Sequence, residues 1–302
     1  MNPAPDHICV CICTYKRPKM LVHLLSVLQN QKTGQLFTYS IVVVDNDHTQ
    51  SARGIIASFK ENSLIDIDYY CESEQNISLA RNKAVQNANG DFVAFIDDDE
   101  FPTNTWLYNL YKALLKYNVD GVLGTVRPRF EGKPPRWVIK GKFYEKPSDK
   151  TGLVLQWRNS RTSNVLLRKS IFNECDNMFD PAFGRGGEDR DFFRRMIEKG
   201  CVFVWCAEAP VYEEIPPERC SRSFMLKRAL LRGKVSLLHP SFNIFDIIKS
   251  LIAVSLYTLA LPLLFLIGHH IFMEYLVKDF EHIGKLLAVC GLDVIKQKYV
   301  MK

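Results

Sequence analysis

Two acidic clusters in the sequence have the makings of chemistry. Phe95 to Glu100 reads FIDDDE, with three consecutive aspartates directly after an apolar run. Like charges that close repel, and a hard divalent cation would relieve them by taking carboxylate oxygens. Asp97 and Asp99, two positions apart, share one side of an extended chain and can converge on such an ion where the strand ends. The plain structural alternative is a solvated acidic turn ahead of a helix capped by Thr103. The second cluster, Glu188 and Asp189 in GGEDRDFFRRM, opens a helix behind two glycines. A helix dipole favours acids there whatever they do. Phe192, Phe193, Met196 and Ile197 give that helix an apolar face able to hold its first turn still, and a carboxylate so held can serve as a general base.

Weaker signals surround these two. Thr14, Tyr15 and Arg17 follow one apolar run in CTYKRP, Asp45 and Asp47 follow the next in VVVDND, and Arg81 lies in NISLARN. Acids after a strand of a dinucleotide-type sheet often meet a ribose or base. Arg81 either faces the same edge or pairs with a surface acid. Neither GxGxxG nor GxxxxGK[ST] occurs, so phosphates would be held by a cation and not by a glycine-rich cradle.

The elements that must position these groups alternate in period. Ile8–Cys13, Tyr39–Val44, Ile67–Cys71 and Phe92–Ile96 read as strands, and Arg17–Gln29, Gln50–Phe59 and Ile77–Ala88 as helices between them. That alternation predicts an α/β fold with a mostly parallel sheet flanked by helices, which binds ligands at the carboxyl ends of its strands. A helix over Thr103–Tyr117, a strand over Gly121–Val126, a Pro-, Gly- and Lys-rich loop over Pro128–Lys150, and strands over Leu153–Trp157, Asn164–Leu167 and Val202–Trp205 follow. Gly184–Gly187 reads as a hinge feeding a helix from Glu188 to Lys199.

With 302 residues, 47% of them apolar and 24% charged, the chain can bury a full core, which excludes disorder and small disulfide scaffolds. Residues 1–221 hold 28 basic and 28 acidic side chains, whereas 222–249 hold six basic ones and a single acid. A basic belt this local argues against a nucleic-acid partner and suits an anionic membrane surface or a diphosphate. Residues 250–273 are 24 consecutive positions without a charge, long enough to cross a bilayer. Pro262 and basic flanks on both sides fit a kinked hairpin or an in-plane pair of helices as well, and a buried core helix is the bland alternative. Phe280–Leu292 reads as a surface-lying amphipathic helix. The nine cysteines include no CxxC pair, and Cys9, Cys11 and Cys13 would share one face of a strand as small core residues, as expected of a reducing compartment.

Taken in order, CTYKRP, VVVDND, NISLARN, DFVAFIDDDE, PPRW, SNVLLRK and GGEDRDFF resemble the motif series of the family 2 inverting glycosyltransferases over about residues 8–235. Within that family the chain is similar to bacterial exopolysaccharide enzymes of the succinoglycan type. The resemblance implies a GT-A type (Rossmann-like) catalytic domain over 1–221, and the basic belt followed by the uncharged stretch reads as a basic, hydrophobic, helical membrane-associating region over 222–302. It implies transfer of one hexose, glucose, from a UDP-sugar to a polyprenyl-diphosphate-linked glycan. The expected location is the cytoplasmic face of the bacterial inner membrane, peripheral or through one C-terminal hydrophobic segment. Carried onto this chain, the family's roles give Thr14 and Asp45 to the nucleotide and Arg81 to uridine and phosphate. Asp97 and Asp98 fall to ribose and sugar, Asp99 with Asp97 to Mn2+ or Mg2+, and Asp189 beside Glu188 to catalysis. Tyr15, Arg17 and Asp47 belong to the same nucleotide-binding edge.

Two departures stand out. Tyr212 in APVYEEIPPER occupies the place where the family often has a histidine, with Glu213 next to it as a substitute. The QxxRW motif of processive members is replaced by SFMLKRALLRG, which implies addition of a single sugar. Two other readings share the acidic site: a sugar-nucleotide pyrophosphorylase, which should carry a Gly-rich basic loop where this chain has TYKRPK, and a non-catalytic, membrane-anchored nucleotide-sugar binder.

Overall fold

The computed structural model describes residues 4–173, 178–184, 186–238 and 242–292. The first half of the chain folds as the periodicity requires: β1 (Asp6–Thr14), α1 (Pro18–Leu28), β2 (Phe37–Asp45), α2 (Arg53–Glu61), β3 (Ile67–Cys71), α3 (Ile77–Asn87) and β4 (Phe92–Phe95). β1 pairs in parallel with both β2 and β4, and β2 with β3. Leu21, Leu24, Leu25 and Leu28 form the buried stripe of α1 and pack on one face of these strands with Val10, Ile12, Ile41 and Val43. Cys9 and Cys11 point to the other face, among Ala80, Ala84, Phe192 and Phe193, so the alternating cysteines are core residues there.

Beyond β4 the direction changes. The chain continues through β5 (Glu100–Pro102), α4 (Trp106–Tyr117), β6 (Gly121–Phe130), α5 (Arg136–Lys140), β7 (Val165–Arg168), α6 (Glu188–Glu198) and β8 (Phe203–Ile215). The eight strands lie in the order β3-β2-β1-β4-β7-β6-β8-β5. Since β4–β7, β6–β7 and β5–β8 are antiparallel, the sheet is mixed, parallel through its first four strands only. Three local readings change with it. Leu153–Trp157 makes only an isolated bridge, Val154 to Val204, and then a 3-10 turn over Trp157–Asn159; Val154 is 67% exposed, so the segment lacks the buried face a sheet strand needs. The acidic turn passes directly into β5, and the strand expected to end at Trp205 runs on to Ile215, with alternate residues buried from Ala209. Of the expected glycine hinge, residue 185 lies outside the described residues, while Gly186 and Gly187 take φ of +121° and +95°, values that favour glycine.

Two compact units are distinguished, one of Met1–Arg127, Lys146–Gly184 and Glu188–Glu213, the other of Pro128–Glu145, Arg185–Gly187 and Glu214–Lys302. The second therefore gathers part of the Pro-, Gly- and Lys-rich loop as well as the C-terminal helices α7 (Arg222–Val235), α8 (Ile244–Ile267) and α9 (His269–Val289). Within it, α7 and α9 meet backbone to backbone at Gly233 and Gly284, where a Cβ would fall 2.0 Å from the Glu281 carbonyl oxygen and 2.3 Å from that of Leu230. α8 starts with a reciprocal Asn243–Asp246 capping box, and Pro262 is accommodated inside it without dividing it into two helices.

Candidate active site

Parallel pairing places the ends of β1 and β2 side by side, with Thr14 opposite Asp45, and β4 beside β1 delivers the aspartate triplet to the same edge. Thr14 Oγ donates to Asp98 at 2.8 Å. Arg17, one turn further, reaches Asp98 at 2.9 Å and Asp99 at 3.0 Å. Burial pushes the Asp98 carboxyl up to about 6, although Arg17 pulls it down. Asp97 faces outward, its side chain 43% exposed.

Arg81 joins the two acidic motifs. Asn76 caps α3 by accepting from the Ser78 and Leu79 amides, which orients the helix. Arg81, one turn later and buried, reaches Asp97 at 3.6 Å and forms an ion pair with Glu188. FIDDDE and GGED, 86 residues or more apart in the chain, are thus linked through one guanidinium. Glu188 is buried and Asp189, next to it, is partly exposed. Burial raises the Glu188 carboxyl to about 7, with Arg81 opposing the shift. Phe192 and Phe193, fully buried, contribute about 1.5–3 kcal/mol each, against about 0.3–1 kcal/mol for an acid at a helix N-terminus. Packing therefore fixes this first turn more than the dipole does.

The remaining expected residues are placed differently. Asp45 accepts from the amides of Asp47 (3.1 Å) and Ala52 (2.8 Å) and from the Tyr69 hydroxyl (3.1 Å), so its carboxylate organises the loop after β2. Asp47 is likewise engaged by the Thr49 amide and hydroxyl. Tyr15 lies half-buried with Lys16 over its ring. Glu213, a neighbour of Tyr212 on β8, pairs with Lys146 at 2.7 Å and lies opposite Glu100 across β5–β8. The Glu100 carboxylate is buried without a hydrogen bond, with Lys146 3.6 Å away as its cation. Although burial pulls it down, Glu213 and Glu100 hold the Lys146 ammonium above its usual range.

Three participants carried no signal in the sequence. Lys146 sits in what reads as a featureless basic loop. Arg161 is 8% exposed, donates to the Pro147 and Gly124 carbonyls at 3.1 and 3.2 Å, and stacks on Trp205, while its Nε is buried without a hydrogen bond. Asn164 accepts from the Trp106 indole at 2.7 Å and donates to the Thr125 and Ala209 carbonyls, tying α4 to β6 and β8.

Among the described residues no group of three or more His, Cys, Asp or Glu side chains forms a ready-made ion cage. Mg2+ and Mn2+ sites that share a diphosphate need none, since one or two carboxylates suffice, and the hard oxygens of Asp97 and Asp99 fit that donor set. The repulsion that the triplet poses is met inside the protein by Arg17 and Arg81.

The sequence profile described as glycosyl transferase family 2 matches residues 9–177, more than half of the chain. The chain belongs to glycosyltransferase family 2. The succinoglycan biosynthesis protein ExoM of Rhizobium meliloti is 34% identical over 230 residues, 76% of this chain and 73% of that protein. The chondroitin synthase of Escherichia coli is 26% identical over 70% of this chain but only 35% of its own length. The crystal structure of S. aureus TarS 1-349 in complex with UDP-GlcNAc superposes with a TM-score of 0.55 at 15% identity, over 96% of this chain and 95% of that one. That likeness establishes the GT-A-like fold. Family membership makes glycosyl transfer the chemistry of this chain and sets the pyrophosphorylase reading aside.

Proposed function

We propose that the protein is an inverting hexosyltransferase that moves a single sugar, glucose, from a UDP-sugar to a polyprenyl-diphosphate-linked glycan during cell-surface polysaccharide synthesis. The observation that carries this is Arg81, which ties the aspartate triplet to Glu188, the residue that precedes Asp189. The likeness to ExoM supports a polysaccharide product, and the UDP-GlcNAc complex of TarS supports a UDP-sugar donor.

In this reading Thr14, Arg17 and the Asp45 loop receive the nucleotide, and Asp97 and Asp98 face its ribose and sugar. Asp97 and Asp99 would hold Mn2+ or Mg2+, which when bound supplies positive charge to the diphosphate. Asp189 accepts the proton of an acceptor hydroxyl while that oxygen bonds to the anomeric carbon. The bond from that carbon to the diphosphate breaks on the opposite face, and UDP leaves with the electron pair. Glu188, engaged by Arg81, steadies the first turn of α6 and is not itself the base. The second unit supplies membrane attachment at the cytoplasmic leaflet, through the apolar α8 and the basic residues of α7.

Asp189→Asn tests the assignment. Transfer from UDP-glucose to a lipid extract should fall about 10²- to 10⁴-fold, the usual contribution of a general base, with UDP binding by calorimetry little changed. Near-normal transfer by the variant would remove Asp189 from the mechanism. UDP release without any transfer across a panel of lipid acceptors, at any donor, would instead favour a nucleotide-sugar binder with adventitious hydrolysis.

A further inference from the structure

α8 is about 36 Å long at 1.5 Å per residue, enough to cross a bilayer, so length alone does not say how it meets one. Its neighbour does. α9 folds back along it: Thr258 donates to Asp279 at 3.2 Å, Ser250 and His282 lie 3.0 Å apart, and the Tyr257–Tyr275 and Phe265–Phe272 ring pairs have centroids 5.5 and 5.4 Å apart. These contacts run from one end of α8 to the other. α9 carries Glu274, Lys278, Asp279, Glu281 and Lys285 over the same length, with Lys278 paired to Glu274 at 2.7 Å on its surface. Each charge at mid-bilayer costs about 2.5–3.5 kcal/mol even on lenient scales. A spanning α8 would draw this charged helix in alongside it.

From this we infer that the α8–α9 hairpin lies in the plane of an anionic membrane surface, with α8 on the lipid side and α9 on the water side. The inference rests on the proposed membrane location and decides its form. Phe245, Ile248, Leu256, Leu259, Leu263 and Leu266 are exposed on α8 and carry no charge among them. Together with Phe265 and Ile267, also exposed, they cover an arc of about 200° at 100° per residue, wider than the roughly 100° stripe that another packed helix would bury. Lipid covers such an arc; a second copy of the chain would leave half of it wet. Lys249 on α8 and Arg222, Lys227 and Arg228 on α7 are exposed and suit acidic headgroups, each worth about 1 kcal/mol near the surface.

The test uses the full chain and vesicles of one part phosphatidylglycerol to three parts phosphatidylethanolamine. Phe245→Trp, Leu256→Trp and Leu266→Trp each add an indole to the exposed face, and the native tryptophans 106, 137, 157 and 205 lie outside both helices. All three variants should float with the vesicles. Their added fluorescence should be quenched most, and equally, by lipids brominated near the headgroup, as for a helix about 5–10 Å deep. Deep quenching at Leu256→Trp with shallow quenching at the other two would mean that α8 spans, overturning the in-plane inference and leaving membrane attachment intact. Failure to float at all, with a self-associated species in sedimentation, would overturn the membrane reading itself. Leu259→Asp combined with Leu263→Asp should reduce flotation at least tenfold while donor turnover in detergent stays unchanged; undiminished flotation would show that the α8 face is not what meets lipid.

Discussion

The donor edge and the α8–α9 hairpin treat unfavourable surface in opposite ways. At the edge, most of the carboxylates, Asp97 and Asp189 excepted, are buried, and the buried ones are met from within by Arg17, Arg81, Lys146, a hydroxyl or a backbone amide. On α8, side chains that water rejects are left exposed, and the protein provides them with almost no cover. A buried charge that loses its partner costs about 3–5 kcal/mol, whereas apolar area left in water costs about 25 cal/mol per Å2 whether or not a neighbour changes. Substitutions at the edge should therefore be felt throughout the fold, and substitutions on α8 only when its external partner is present.

The sharpest way to break that contrast is at Arg81. Arg81→Met keeps much of the aliphatic stem but leaves Glu188 buried and Asp97 without their shared cation. The expected loss is about 3–5 kcal/mol of unfolding free energy by urea titration, with transfer abolished because α6 is no longer tied to the triplet. A variant that unfolds within about 0.5 kcal/mol of the parent would show that the Arg81 pairing is incidental.

The next contrast is with pH. Glu188 rises from an ordinary value of 4.5 to about 7, so between those values the folded protein holds a proton that the unfolded chain has released. Stability contributed by this group is complete below pH 4.5 and is lost as pH rises through 7. Glu188→Gln cannot titrate, so its thermal midpoint should gain on that of the parent between pH 5 and 7 and run parallel above it. Asp98 titrates in the same window in both proteins and cancels to first order. A constant difference across the range would mean that Glu188 stays ionised, and that burial does not govern its charge.

A smaller effect is expected where a neutral donor meets a charge. Thr14→Val preserves shape and β propensity but removes the 2.8 Å hydrogen bond to buried Asp98. It should cost about 1–3 kcal/mol and raise the Asp98 carboxyl further, visible as weaker UDP-sugar binding above pH 6 than below it. Equal binding loss at both pH values would assign Thr14 to the ligand directly and not to Asp98.

How much of this was legible in the sequence follows from the range of each interaction. The parallel half of the sheet, α1, α3 and the cysteine face of β1 are local periodicity, and they appear where the pattern puts them. The two acidic motifs were visible because acids in series are unusual after apolar runs. Their connection was not, since Arg81 reads equally as a surface ion-pair partner until α3 and α6 are placed. Lys146, Arg161 and Asn164 act through partners dozens of residues away, or through carbonyls that no side-chain pattern records. In the antiparallel half the cores of β6, β7 and β8 are legible but their direction is not, and β5 is not legible at all, for a related reason. β5 is only three residues long and begins at Glu100, so its pairing with β8 is set by tertiary contact and not by its own alternation.

The smallest expected effect is the one that completes the comparison. Leu259 is 80% exposed on α8, and Leu259→Asp removes apolar surface that the folded chain never covers. In detergent its unfolding free energy should therefore stay within about 0.5 kcal/mol of the parent, as for surface changes generally. Were it instead to cost as much as Arg81→Met, α8 would be packed against protein in solution, and the asymmetry between an internally balanced edge and an externally completed hairpin would be lost. A neutral result in detergent joined to a loss of vesicle binding separates a surface that waits for lipid from one that is merely tolerated by water.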